Sequence, residues 1–118
     1  MTTRATGGRA EQQARNFLIR QGLKPVTENW HCRQGEIDLI MLDCKTLVFV
    51  EVRFRRNSDY GTPAATVGHT KQRRLIRAAQ RYLQQLGRKP PCRFDVVAIT
   101  AEPELQVEWI RNAFDAVV

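Results

Sequence analysis

The chain has 118 residues, of which 42% are hydrophobic and 26% charged, and its formal net charge at pH 7 is +7. This composition excludes a disordered chain and a repeat protein, and a chain of this length folds around one core. The N-terminal sequence has no apolar export signal, no window approaches the ~18 apolar residues of a membrane span, and three scattered cysteines suit neither a disulfide framework nor a zinc site. We therefore expect one cytoplasmic domain over residues 1–118, flexible over residues 1–7 and without membrane contact.

The first half of the chain predicts one helix and three strands. Apolar residues recur at helical spacing over residues 8–21, and Gly22 ends that helix. Residues 24–32 predict a weaker strand, because their polarity does not alternate cleanly. Residues 35–42 and 46–54 are two strong strand signals with a short gap between them, which predicts a hairpin.

The second half predicts a loop, a helix and two more strands. Turn-forming residues fill 55–66, and a 3.6-residue apolar stripe predicts a helix over 67–86. Residues 93–100 predict a central strand, 105–110 an edge strand, and 111–118 are a candidate short terminal helix. The long helical connection between the third and fourth strands predicts a parallel pair in an otherwise antiparallel sheet. The expected class is α/β with a mixed sheet.

The positive charge is concentrated in one part of the chain. The segment from Arg53 to Arg93 has eleven basic residues and one acid, whereas the remainder has eight basic residues and eleven acids. This asymmetry favours one face that contacts a polyanion. The alternative is an arginine-rich helix surface that is only solvated.

Four charged residues lie in the most apolar stretch of the chain. Side chains alternate along a strand, so Glu36 and Asp38 are expected on one face of the first hairpin strand, and Glu51 and Arg53 on one face of the second. Burying an ionised group costs several kcal/mol unless it is paired or binds a metal. Neighbouring carboxylates also repel one another, and Arg53 or a hard cation such as Mg²⁺ relieves this repulsion. The alternative is an ordinary cross-strand salt bridge on a wet face.

The order of these motifs resembles the PD-(D/E)xK nuclease superfamily. The motif EIDLI at residues 36–40 is followed by EVR at residues 51–53, after a helix that carries Glu11 and before a basic helix. The resemblance implies a restriction-endonuclease-like αβββαβ core and hydrolysis of DNA phosphodiester bonds. More closely, GEIDLI, FVEVR, the Tyr60-Gly61 step and KQRRLIRAAQRYL resemble the YraN family of uncharacterised bacterial nuclease-like proteins, over almost the whole chain. A more distant likeness to archaeal Holliday-junction resolvases suggests branched DNA as substrate, by analogy of fold alone. Single-stranded DNA is the alternative substrate.

The superfamily resemblance also implies roles for the acidic residues. Asp38 and Glu51 would hold Mg²⁺ or Mn²⁺, with the Val52 carbonyl as a third ligand. Glu36 would add a ligand or hold a water molecule. Glu11 would be an additional acid supplied by the first helix, or else an ordinary exposed helix residue.

Basic residues would bind the DNA backbone through salt-sensitive contacts that do not depend on sequence. The residues assigned to these contacts are Arg55, Arg56, Lys71, Gln72, Arg74, Arg77 and Arg81. For Lys71 and Gln72, at the start of the basic helix, the alternative is a contact with the acidic site itself. His31 and His69 are too far apart in sequence to suggest a metal pair, and no Ser-His-Asp or Cys-His grouping points to a catalytic histidine. A homodimer is left open.

Arg53 departs from the superfamily pattern, which has lysine at this position. A guanidinium stays charged and does not act as a general base, although it still binds phosphate. Two alternatives to an endonuclease therefore stay open. One is a non-catalytic nucleic-acid-binding module that keeps the nuclease fold, and the other is an interaction protein whose basic face docks an acidic protein.

Overall fold

The fold is a mixed sheet with one helix on each face. The computed structural model describes residues 3–57 and 67–115. Its elements in chain order are α1 (Thr3–Arg20), β1 (Lys24–Cys32), β2 (Gly35–Asp43), β3 (Thr46–Arg55), α2 (His69–Leu86), β4 (Cys92–Thr100) and β5 (Gln106–Phe114). The predicted α/β class is confirmed, and the predicted strands match the observed ones closely up to β4.

The five strands of the described residues lie in the order β1-β2-β3-β4-β5. β3 and β4 run parallel, and all other neighbours run antiparallel. Parallel neighbours need a crossover connection, which α2 supplies. The predicted β2–β3 hairpin, the parallel pair and the edge position of the last strand are therefore confirmed.

Each face of the sheet is buried by one helix. α1 packs Ala10, Ala14 and Leu18 against one face, and α2 packs Leu75 and Ala79 against the other. Burial on both sides accounts for the long hydrophobic runs in the central strands. No helix in the described ranges is long and apolar enough to span a membrane.

The C-terminal segment corrects one prediction. Residues 111–114 belong to β5, so the predicted terminal helix is wrong there, and residues 116–118 lie outside the described ranges. The pairing of β4 with β5 shifts register at Asp95, and Asn112 has a φ of 51°. β5 takes four residues from Ile110 to Phe114 where β4 takes two from Phe94 to Val96. Such a bulge, with the left-handed Asn112 within it, interrupts the regular pattern by which strands are predicted.

Two other boundaries differ from the predictions. α1 begins at Thr3, earlier than the helical spacing indicates, and whether the N-terminal residues are flexible stays a prediction. β3 extends through Arg55, into the segment predicted as a loop. The Tyr60-Gly61 step and the rest of residues 58–66 lie outside the described residues.

A buried carboxylate ties β4 to β5, which sequence reasoning did not identify. Asp95 is fully buried and accepts hydrogen bonds from Arg93 Nε at 3.0 Å, Trp109 Nε1 at 2.9 Å and the Asn112 N–H at 2.9 Å. Arg93 also reaches Asp43 at 3.0 Å. Both oxygens of Asp95 are therefore satisfied, as a buried carboxylate requires.

Candidate metal and nucleic-acid site

The β2 and β3 strands stop pairing just before the acidic residues. Their paired register ends at Leu39 and Val50. One step further, Oδ2 of Asp38 accepts the N–H of Val52 at 2.8 Å. A side chain thus takes a backbone donor, and the carboxylates of Asp38 and Glu51 face each other where the strands part.

Side-chain alternation is also interrupted at Asp38. Leu39 packs in the core beside α1, whereas Ile37 and Ile40 both pack beside α2. In a regular strand, Ile37 would share the face of Leu39. The residue opposite Asp38 on β1 is Asn29, whose φ of 52° is left-handed. Irregularities of this kind re-aim side chains next to functional sites. The strict alternation that predicted a shared face for Glu36 and Asp38 therefore does not hold.

Burial sets the protonation of the carboxyl pair. Glu51 is 5% exposed, and Asp38 is half-buried. Burial, followed by the negative charge of Asp38, raises the pKa of Glu51 to about 7. Burial also raises the pKa of Asp38, against the lowering effects of the Val52 N–H and of Lys71. A hydrogen bond between the two carboxyl groups favours the proton on Glu51.

Two cations lie close to this pair. Nζ of Lys71, in the first turns of α2, is 3.6 Å from Oε1 of Glu51. The charges of Lys71 and Arg53 both lower the pKa of Glu51, although less than burial raises it. Lys71 was expected to contact phosphate, with the acidic site as the alternative, and the structure places its ammonium group at the carboxyl pair.

Glu11 is brought near the same place from α1. Burial, and then the charge of Asp38, raises the pKa of Glu11, while a hydrogen bond with Asn29 lowers it. Within residues 3–57 and 67–115, however, no three His, Cys, Asp or Glu side chains are arranged to hold a metal ion. The assembled carboxylate donors are therefore Asp38 and Glu51, and the roles of Glu11 and the Val52 carbonyl stay predictions.

Glu36 lies with a histidine. Oε2 of Glu36 is 3.2 Å from Nδ1 of His31, its partner across the β1–β2 pair. Both side chains line an open cleft of about 350 Å³ between the β1–β2 turn and α2. Sequence reasoning did not place His31 near the acidic residues. The pairing of β1 with β2 would have indicated it, because His31 and Glu36 are opposite each other in that register.

The predicted phosphate-binding residues divide into groups. Arg74 lines the cleft beside Lys71, and Arg77 and Arg81 are exposed further along α2. Gln72 donates from Nε2 to the Val67 carbonyl at 2.9 Å, which occupies its amide at the start of the helix.

Arg55 and Arg56 lie at the end of β3. Arg55 is within 3.4 Å of Thr100 Oγ1, and Arg56 is 3.5 Å from Glu102. Both are held against the β4 end, away from the cleft-lining residues of α2. The predicted phosphate-binding residues are therefore divided between α2 and the end of β3 and do not form a single cluster.

A sequence profile of "Uncharacterised protein family UPF0102" matches residues 10–99. The chain belongs to family UPF0102. A UPF0102 protein of Chromohalobacter salexigens is 52% identical over 115 residues, covering 97% of this chain and 94% of the relative. Another, from Psychromonas ingrahamii, is 50% identical over 105 residues, covering 89% and 85%. The predicted membership of the YraN-type family is confirmed, and the UPF0102 match spans the site from Glu11 to Arg81.

The carboxyl pair gives the metal-free protein a distinct dependence on pH. A carboxyl group whose pKa is raised by folding binds more protons in the folded state, so its contribution to stability falls as pH rises. For Glu51 this fall runs from the ordinary value of 4.5 through about 7. We expect the Tm in EDTA to decrease between about pH 5 and pH 8, and to decrease less in Glu51→Gln. Calorimetry of both proteins measures this difference. If the Tm of both proteins fell equally with pH, burial would not raise the pKa of Glu51.

Proposed function

We propose that this protein is a metal-dependent endonuclease of the PD-(D/E)xK type, with a restriction-endonuclease-like core, that hydrolyses phosphodiester bonds in DNA. The observation that carries the proposal is the Asp38–Glu51 pair, which is held at the parted end of a hairpin with Lys71 at 3.6 Å. A cytoplasmic location belongs to the proposal, in keeping with the free thiols of Cys32, Cys44 and Cys92.

The donor chemistry of the pair fits a hard divalent cation. Burial raises the pKa of both carboxyl groups, and the charge of Asp38 raises that of Glu51 further. A cation with a preference for oxygen ligands relieves both effects. Mg²⁺ in nucleotide-processing sites is held by one or two carboxylates, with water and phosphate completing its shell. Asp38 and Glu51 are therefore sufficient as protein ligands. When bound, Mg²⁺ or Mn²⁺ supplies a hydrolytic nucleophile near neutral pH and neutralises phosphate charge.

The cations of the site act on the substrate. Lys71 and Arg53 lie next to the carboxyl pair and bind the oxygens of the phosphate to be cleaved. The exposed arginines of α2, together with Arg56 just after β3, hold neighbouring phosphates, which makes binding sensitive to salt. Because Lys71 supplies an ammonium group from α2, the arginine at position 53 does not leave the site without a lysine.

Lys71→Ala is expected to lower the rate of metal-dependent DNA cleavage by roughly 10²-fold, the usual effect of removing one group that stabilises charge in the transition state. The measurement is single-turnover cleavage of branched and single-stranded substrates with Mn²⁺. The matched control is Lys89→Ala, which removes an exposed lysine just after the end of α2. This variant should cleave at the wild-type rate. If both variants cleaved at the same rate, Lys71 would have no role in cleavage.

A non-catalytic nucleic-acid-binding module is the second candidate, and Arg53 is the observation that favours it. The two candidates are separated by cleavage assays on wild type and Arg53→Lys. If both proteins bind DNA but neither cleaves any substrate with Mg²⁺ or Mn²⁺, the endonuclease proposal fails. Metal-dependent cleavage by the wild type would exclude the non-catalytic binding module.

The homodimer stays a prediction, and light scattering of the purified protein tests it.

A further inference from the structure

A cleft adjoins the carboxyl pair on the side of α2. It has a volume of about 350 Å³, within the ~300–1,000 Å³ range of small-ligand sites. Lys71 belongs both to its lining and to the ion pair with Glu51, so the cleft and the proposed catalytic carboxylates share this side chain. The lining residues are His31, Cys32, Gly35, Glu36, Lys71, Arg74 and Leu75.

One wall of the cleft is cationic. Lys71 and Arg74 are three residues apart on α2 and therefore project from the same side of the helix. A lysine and an arginine together favour a phosphate group, which the arginine binds through two parallel hydrogen bonds.

The opposite wall and the floor suit a nucleobase. The carboxylate of Glu36 accepts hydrogen bonds of the kind that an exocyclic amino group offers, and His31 beside it at 3.2 Å presents an aromatic ring. Cys32 and the buried side chain of Leu75 add apolar surface. Unpaired bases are recognised by this combination of stacking and edge contacts.

The close approach of the β1–β2 turn to α2 limits what enters. A Cβ atom at Gly35 would lie 3.4 Å from the Arg74 carbonyl oxygen and 3.5 Å from Arg74 Cβ, so the turn touches the helix at this point. A base reaches a site of this size only after leaving the helical stack. An intact duplex keeps its bases stacked and does not fill the cleft.

We propose that this cleft holds one unstacked nucleotide of an unpaired DNA strand, with its phosphate on Lys71 and Arg74. Because Lys71 also contacts Glu51, the phosphodiester bond presented to Asp38 and Glu51 is the one at this phosphate. The placement of the bond rests on the proposed function, whereas nucleotide binding in the cleft does not. The protein is therefore selective for single strands, flaps or branch points over continuous duplex.

The first experiment maps dCMP binding to the full chain by NMR in EDTA, without metal. The expected result is saturable shifts at His31, Gly35 and Leu75 that inorganic phosphate alone does not reproduce. Shifts confined to the second cleft, which is lined by Gln80 and Arg88 among others, would overturn the proposal. So would identical shifts from phosphate, because they would show an anion site with no place for a base.

The second experiment compares variants by fluorescence anisotropy with a short oligodeoxycytidylate and its duplex. Wild type should bind the single strand at least about 10-fold more tightly than the duplex. Arg74→Ala should weaken single-strand binding by about 5- to 10-fold. Arg73→Ala, which removes an equal charge from the neighbouring exposed position outside the cleft, should change it less than about twofold. Equal losses of single-strand affinity in the two variants, or no preference of the wild type for the single strand, would overturn the proposal that the cleft binds a nucleotide.

The outcomes separate this inference from the proposed function. Cleavage without nucleotide binding in the cleft refutes the inference and leaves the endonuclease intact. Nucleotide binding in the cleft without cleavage under any metal condition supports the inference and refutes the endonuclease.

Discussion

Replacing Asp38 by asparagine is expected to lower metal-dependent DNA cleavage by roughly 10²- to 10³-fold, because the site loses one of its two proposed metal ligands. The asparagine side-chain oxygen still accepts the Val52 N–H, which Asp38 binds at 2.8 Å, so the parted end of the hairpin keeps its geometry. Glu51→Gln should give a loss of the same order. The measurement is single-turnover cleavage with saturating Mn²⁺.

The matched control for both variants is Glu108→Gln. Glu108 is exposed on β5, outside the site, and its replacement removes the same charge without touching the carboxyl pair. The control should cleave at the wild-type rate. If Asp38→Asn or Glu51→Gln cleaves as fast as this control, the carboxyl pair does not carry the reaction.

Asp95→Ala is expected to be the most destabilising single substitution considered, at about 3–5 kcal/mol. It leaves Arg93, the Trp109 indole N–H and the Asn112 N–H without the carboxylate that they share in the interior. For a domain of this size, such a loss lowers the Tm by more than about 10 °C.

Urea unfolding followed by circular dichroism measures the effect. Glu28→Ala is the matched control, since it removes an exposed carboxylate that lies 3.8 Å from Arg15, and such surface pairs contribute only about 0–1 kcal/mol. A loss below about 1 kcal/mol for Asp95→Ala would show that the network does not hold β4 to β5.

The regular parts of the fold could be predicted from the sequence because their patterns are periodic. Apolar runs bounded by turn residues located β2, β3 and β4, and the amphipathic stripe located α2. The length of the α2 connection was enough to predict the parallel pair. The acidic pair was also identifiable, since carboxylates within an apolar hairpin are costly unless compensated.

The remaining features depend on departures from periodicity. Asn29 in the left-handed region and the interrupted alternation at Asp38 re-aim the acidic residues, and no pattern of period two predicts this. The bulge at Asp95 likewise concealed the end of β5. The contact of Lys71 with Glu51 arises only when α2 docks on the sheet, so the sequence placed Lys71 within reach of the site without favouring this contact over a phosphate.

The central claim, that Asp38 and Glu51 form a divalent-cation site, is tested most directly by titrating Mn²⁺ into the protein in a calorimeter. The titration belongs near pH 8, because ligation requires both carboxyl groups to be deprotonated and the pKa of Glu51 is about 7. We expect saturable binding by wild type and by Glu108→Gln, and its loss in Asp38→Asn. Identical isotherms for all three proteins would contradict the site.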